Sequence, residues 1–151
     1  MITTVFNAID DQEHSGWAAD SAIHLARATS SMIIFLMANP AVLPGRGPMI
    51  YRWTKDYIEE YFYQAKCRAR KAGVYDVRCI TKNTLDISKT ILSEALKAQA
   101  QYIVLGSDCH RGLFGNWKQS ITREVSANAH CPTIIVHTAL NHRQNIHDLV
   151  A

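Results

Sequence analysis

The feature that most constrains this chain is a run of apolar residues without a polar interruption. Residues 32–38 read MIIFLMA and show no alternation between apolar and polar positions. A strand that faces water on one side alternates, whereas a strand covered on both faces of a parallel sheet reads as a continuous apolar run. The run is far shorter than the about 20 residues that a membrane-spanning helix needs. It therefore predicts a strand that is buried on both faces.

Strand-like and helix-like segments alternate around this run. Strands are predicted at residues 2–9, 32–37, 74–81, 102–105 and 133–137, and helices at 15–28, 50–72, 86–99 and 118–129. Residues 39–48 contain three prolines and two glycines, which predicts a loop. Because strand–helix–strand units cross over with a right-handed turn, this order predicts a parallel sheet between two layers of helices, the doubly wound α/β class.

Two of the predicted helices carry clear apolar stripes. In the second, Trp53, Tyr57 and Tyr61 follow one another at four-residue steps, which predicts that these aromatic rings pack rather than bind. In the third, the predicted buried stripe consists of Ile87, Ile91, Leu92 and Leu96.

Composition and charge exclude several classes of protein. The 151 residues suit one domain, with 48% hydrophobic and 19% charged residues, as in ordinary globular proteins. A net charge of +3 is too small for a dedicated nucleic-acid binder. The amino-terminal sequence lacks the features of a secretion signal, so we expect a cytoplasmic protein. The four cysteines form no CxxC pair, and the seven histidines show no metal-ligand spacing, so no metal site is predicted.

The predicted fold indicates where a ligand would bind. In doubly wound sheets, ligands lie beyond the carboxyl ends of the strands where the strand order switches. Here those ends are Asp10, after the first strand, and Gly106, after the fourth. Asp10 has two interpretations that the sequence leaves open, a ligand contact and a cap of the following helix.

Residues 105–120 connect the fourth strand to the last helix. Small residues, free backbone amides and nearby basic groups favour an anion-binding loop there, although a plain connection fits equally well. The phosphate-binding patterns GxxxxGK[ST] and GxGxxG are absent, as are HExxH and GxSxG, so no motif assigns a catalytic activity. Cys109, beside Asp108 and His110, is either an ordinary loop thiol or an oxidant sensor.

Several of these segments together resemble the universal stress protein family. The resemblance runs from about residue 4 to residue 137 and rests on Asp10, on Leu105-Gly106-Ser107, and on the segments 120–125 (SITREV) and 130–136 (HCPTIIV). It implies a Rossmann-like domain over residues 1–138 whose five-stranded sheet has the order 3-2-1-4-5. Residues 139–151 then form a polar tail.

The resemblance also implies a nucleotide site. The implied nucleotide-binding residues are Ala8, Asp10, Ala38, Leu105, Gly106, Cys109, Gln119, Ser120, Ile121 and Thr122. The expected ligands are ATP, ADP or AMP. Cys109 and Gln119 stand where the family motif has glycines, and side chains at these positions hinder the close approach of phosphates to the backbone. We therefore expect ATP binding to be weak or absent.

The resemblance further implies that the last strand pairs with its copy in a second chain. The implied homodimer interface consists of Thr133, Ile134, Ile135, Val136 and His137. The expected function is that of a cytoplasmic stress-response regulatory domain that acts as a dimer and contacts other proteins. The first alternative is an ATP-binding, slowly hydrolysing switch on the same fold, and a more distant one is an unrelated α/β enzyme.

Overall fold

The structure, a computed structural model, describes residues 2–43, 45–108 and 115–138. The predicted polar tail and Cys109 lie outside these residues. The described elements are β1 (Thr4–Ala8), α1 (Glu13–Ala28), β2 (Met32–Val42), β3 (Ile50–Tyr51), α2 (Lys55–Lys71), β4 (Val77–Thr84), α3 (Ile87–Lys97), β5 (Tyr102–Asp108), α4 (Gly115–Asn128) and β6 (Thr133–Thr138).

These strands form one sheet whose main part is parallel. The parallel strands lie in the order β4-β2-β1-β5-β6, which is the predicted order 3-2-1-4-5 with the strands renumbered. The sheet has six strands rather than the predicted five, because the short β3 pairs antiparallel with the end of β2. The doubly wound α/β class is confirmed.

The central strand β2 is buried on both faces, as the apolar run predicts. Ile33, Phe35 and Met37 belong to one core cluster with residues of α1 and α2. Ile34 and Leu36 belong to a second cluster with residues of α3 and α4. The sheet therefore separates two helix layers, each with its own apolar core.

The predicted loop at residues 39–48 is wrong in its first part. Strand β2 continues through Pro40 to Val42, and it pairs with β4 as far as Pro40 opposite Thr84. Proline lacks only the backbone N–H, and the Pro40 carbonyl still accepts a hydrogen bond from the Arg52 amide at 3.0 Å. Tertiary pairing thus overrides the local signal to break the strand.

The predicted start of the second helix at residue 50 is also wrong. Ile50 and Tyr51 form β3, and α2 begins at Lys55 after Thr54, whose side chain accepts a hydrogen bond from the Tyr57 amide at 3.3 Å. The aromatic repeat places Trp53 in the helix, whereas the structure places it in the segment before the helix cap.

The buried faces of α2 and α3 differ from the predicted stripes. In α2, Ile58 and Phe62 are buried, whereas Tyr57 is 40% exposed. In α3, Ile91 and Ala95 face the core and Leu96 is 59% exposed. A helix turns about 100° per residue, so a buried face centred on Ile91 and Ala95 leaves Leu96 in solvent.

Every helix in the described part of the chain falls short of the length or the apolar character that a membrane crossing requires.

We expect Gly73→Ala to destabilise the domain by about 1 kcal/mol, because Gly73 ends α2 with φ +87°, a left-handed conformation that strains residues with a Cβ. No atom lies within 4 Å of a Cβ built at Gly73, so the cost is conformational rather than steric. Urea-induced unfolding monitored by circular dichroism measures the change.

Gly45→Ala is the matched control. A Cβ at Gly45 also meets nothing within 4 Å, and its φ lies outside the left-handed region. We expect its free energy of unfolding to stay at the wild-type value or to rise slightly. Equal midpoints for the two variants would contradict the conformational argument.

Candidate ligand-binding cleft

A cleft opens where β1 and β5 separate. The two strands pair as far as Asn7 opposite Val104, and there the buried Asn7 side chain donates a hydrogen bond to the Val104 carbonyl at 2.9 Å. Beyond this point the chain turns towards α1, while the Ile9 amide still donates to the Leu36 carbonyl of β2 at 2.8 Å. The opening lies at the switch in strand order, where the sequence predicts a ligand.

We call this opening the main cleft. It encloses about 800 Å³, including the part that is open to solvent. Small-molecule sites combine an apolar lining with a few polar groups. Here Ile87, Ile91 and Ile121 form apolar walls, and Asp10 and Thr122 supply polar groups. The cleft therefore suits a small ligand with both apolar and polar parts.

Most of the nucleotide-binding residues implied by the resemblance meet in this cleft. Those that line it are Ala8, Asp10, Ala38, Leu105, Gly106, Ile121 and Thr122. Ser120 is exposed and lies outside the lining. Cys109 and the side chain of Gln119 lie outside the described part of the chain.

The structure assigns Asp10 a local role. Its Oδ1 accepts a hydrogen bond from the Gln12 amide at 2.8 Å, and its own amide donates to the Ser15 hydroxyl at 2.8 Å. The carboxylate thus stabilises the turn that leads into α1. The same residue also lines the main cleft, so the ligand role stays a prediction beside the structural one.

The β2–β3 hairpin contributes a wall of the cleft that the sequence does not predict. Arg52 and Trp53 follow β3 and both line the main cleft. The side chain of Asn39, 3% exposed, holds the Trp53 backbone in place. Its Nδ2 donates to the Trp53 carbonyl and its Oδ1 accepts from the Trp53 amide, both at 2.9 Å. The only sequence signal for this wall was an asparagine, Asn39, two residues after the predicted strand 32–37.

An ion pair lies at this side of the cleft. The Arg52 guanidinium lies 3.2 Å from the Asp11 carboxylate and 5.8 Å from the centre of the Trp53 ring. Because the Arg52 side chain is 48% exposed, water screens the pair, and its contribution to stability is small. The pair balances charge at the cleft without closing it.

A second depression of about 770 Å³ lies between α1 and α2. A hydrogen bond with Tyr57 and burial raise the pKa of its Tyr61 to about 12, so this phenol supplies no charge to the depression. Its Arg68 is engaged by Asp20, with 2.7 Å between guanidinium and carboxylate. The main cleft, with its apolar walls, is the better ligand site.

Two of the three cysteines in the described residues, Cys79 and Cys131, are poorly suited to thiol chemistry. Burial raises the pKa of the Cys79 and Cys131 thiols, which keeps them protonated and weakly reactive. Within residues 2–43, 45–108 and 115–138, no group of three or more His, Cys, Asp or Glu side chains could hold a metal ion.

Comparisons with solved structures show the same fold. A universal stress protein in complex with cAMP has 20% identity and a TM-score of 0.69, over 91% of this chain and 98% of that one. The universal stress protein from Archaeoglobus fulgidus in complex with dAMP has 19% identity and a TM-score of 0.64, over 90% and 98%. UspA from Lactobacillus plantarum has 15% identity and a TM-score of 0.71, over 89% and 97%.

The sequence comparison covers nearly the same span. The family model described as the universal stress protein family matches residues 1–137. This range contains every described secondary-structure element except the last residue of β6. The chain belongs to the universal stress protein family.

Proposed function

We propose that this chain is a cytoplasmic stress-response regulatory domain that binds an adenine nucleotide weakly in the main cleft and acts as a homodimer. The observation that carries the nucleotide proposal is the convergence of residues from three strands (β1, β2 and β5) and three helices (α1, α3 and α4) on one cleft. Ala8 lies in β1, Ala38 in β2 and Gly106 in β5. Ile121 and Thr122 lie in α4.

The ligands of two structural neighbours support the same class of ligand. One neighbour is in complex with cAMP and another with dAMP. Both ligands join adenine to a sugar and a single phosphate. The main cleft offers apolar walls for a base and polar groups for a sugar and a phosphate.

We expect Asp10→Asn to lower the affinity for AMP about tenfold while leaving the melting temperature near the wild-type value. Asparagine keeps an oxygen that accepts the Gln12 amide, but it removes the charge that strengthens a hydrogen bond to a ligand hydroxyl. Titration calorimetry and thermal unfolding on the same preparation measure both quantities.

Asp10→Ala serves as the comparison, because it removes the acceptor as well as the charge. We expect it to cost about 1 kcal/mol of stability in addition to the loss of affinity. An Asp10→Asn protein that binds AMP as tightly as the wild type would leave Asp10 with its structural role alone.

The triphosphate is expected to bind poorly. Where the family motif has glycines, this chain has Cys109 and Gln119, whose side chains hinder the approach of phosphate oxygens to backbone amides. We predict a dissociation constant for ATP on the order of 0.1 mM or weaker. This constant corresponds to a binding free energy of only about −5.5 kcal/mol. The double variant Cys109→Gly/Gln119→Gly should bind ATP more tightly than the wild type. A wild-type dissociation constant of about 1 μM, measured by calorimetry, would refute the prediction.

The homodimer proposal rests on the position of β6. This strand is at the end of the sheet order, and among the described residues it pairs with β5 alone. Ile134 is 37% exposed on this edge. An uncovered apolar edge strand favours pairing with another chain, and a two-fold axis would bring two copies of β6 together.

We expect the wild-type protein to be a dimer at micromolar concentration and Ile134→Lys to shift it towards the monomer. A lysine on the edge adds charge repulsion across the two-fold axis and disfavours pairing. Light scattering coupled to size exclusion measures the mass of each protein.

Ile50→Lys is the matched control, because Ile50 is 55% exposed on β3 at the other side of the sheet. It should remain a dimer. A monomeric wild type, or equal association in the two variants, would contradict the proposed interface.

A further inference from the structure

The main cleft has two different ends. One end is bordered by Gly106 of β5 and by Thr122 of α4, and the other by Arg52 and Trp53 after β3. Strands β2 and β1 lie between β3 and β5 in the sheet, so the two ends are three strand spacings apart, or roughly 14 Å, and an extended ligand with unlike ends suits this shape.

Physical chemistry orients a nucleotide between these ends. The end formed by β5 and α4 suits the phosphate, because Gly106 lets a ligand approach the backbone closely and Thr122 supplies a polar side chain. The base then lies at the hairpin end, where the indole of Trp53 forms part of the wall. Aromatic side chains are preferred partners of nucleobases because each base presents a π-face.

The position of Trp53 is fixed rather than incidental. The buried side chain of Asn39 makes two hydrogen bonds of 2.9 Å to the Trp53 backbone, and a third, of 3.2 Å, to Asn83. The indole also packs against the core cluster beneath α1 and α2. The cleft wall is therefore held in place before a ligand arrives.

Core packing alone does not account for a tryptophan at this position. Its indole Nε1 is buried and has no hydrogen-bond partner among the described residues. An unsatisfied buried N–H destabilises a protein, and phenylalanine would fill similar space without that cost. Contact between the large indole ring and a ligand gives a physical reason for tryptophan at this position.

We propose that Trp53 is the residue of the main cleft that recognises the base, packing its indole against the ring of a bound adenine nucleotide. This assignment rests on the proposed nucleotide function. It makes the hairpin, rather than the strand ends, the determinant of selectivity for ligands that carry an aromatic base.

The test compares AMP with ribose 5-phosphate, which keeps the sugar and phosphate but lacks the base. The wild type should bind AMP about tenfold more tightly than ribose 5-phosphate. Trp53→Leu should lower AMP affinity about tenfold and leave ribose 5-phosphate within about twofold of wild type, whereas Trp53→Phe, which offers a smaller ring, should lose a smaller part of the AMP affinity. Trp17→Leu is the control, since Trp17 is 49% exposed on α1 and does not line the cleft.

A second measurement leaves Trp53 unchanged. The chain has three tryptophans, so the double variant Trp17→Phe/Trp117→Phe makes Trp53 the sole indole fluorophore. Saturating AMP should change its emission, and saturating ribose 5-phosphate should not.

The outcomes separate the two proposals. If the wild type binds neither AMP nor ADP at millimolar concentration, the proposed function fails and this assignment fails with it. If AMP binds but Trp53→Leu retains the preference over ribose 5-phosphate, or the Trp53 emission does not respond to AMP, the nucleotide function stands and the role of Trp53 is refuted.

Discussion

The burial of β2 on both faces is the constraint on which the rest of the structure depends. Its side chains alternate between two apolar clusters, and each cluster needs a layer of helices to exclude water. The connections between strands must therefore cross on both faces of the sheet. At one point in the sheet, between β1 and β5, the connections from neighbouring strands leave in opposite directions. The main cleft lies at that point, so the position of the site follows from the same constraint that sets the fold.

Two buried asparagines complete the sheet where regular strand pairing ends. Asn7 bonds the Val104 carbonyl at the end of the pairing between β1 and β5, and Asn39 bonds both backbone groups of Trp53. Buried backbone groups that leave a strand ladder need partners, and side-chain amides can supply both a donor and an acceptor. These contacts let the strands separate without leaving those polar groups unpaired.

The sequence predicts the class of sheet from long apolar runs and chain order, and the family resemblance supplies the strand order and the strand-end residues of the cleft. Ala8, Ala38 and Gly106 could be placed in one cleft on that basis. The wall formed by the β2–β3 hairpin could not be predicted from the sequence. The Pro- and Gly-rich stretch before it signals a loop, and the four-residue spacing of Trp53 and Tyr57 imitates a helix. Thr54 caps α2 after Trp53, and the distant bond from Asn39 holds Trp53 outside the helix. Local periodicity does not register a contact between residues 14 positions apart.

The central pairing of β1 with β5 brings together residues 97 positions apart, as in the bond between Asn7 and Val104. A chain emerging from the ribosome can assemble β1, β2 and β4 long before β5 is synthesised, because synthesis proceeds from the amino terminus. Until β5 arrives, the floor of the main cleft and its α4 wall are missing. A metabolite that binds this cleft can therefore stabilise only the finished domain, and cannot act as a template for a partly translated one.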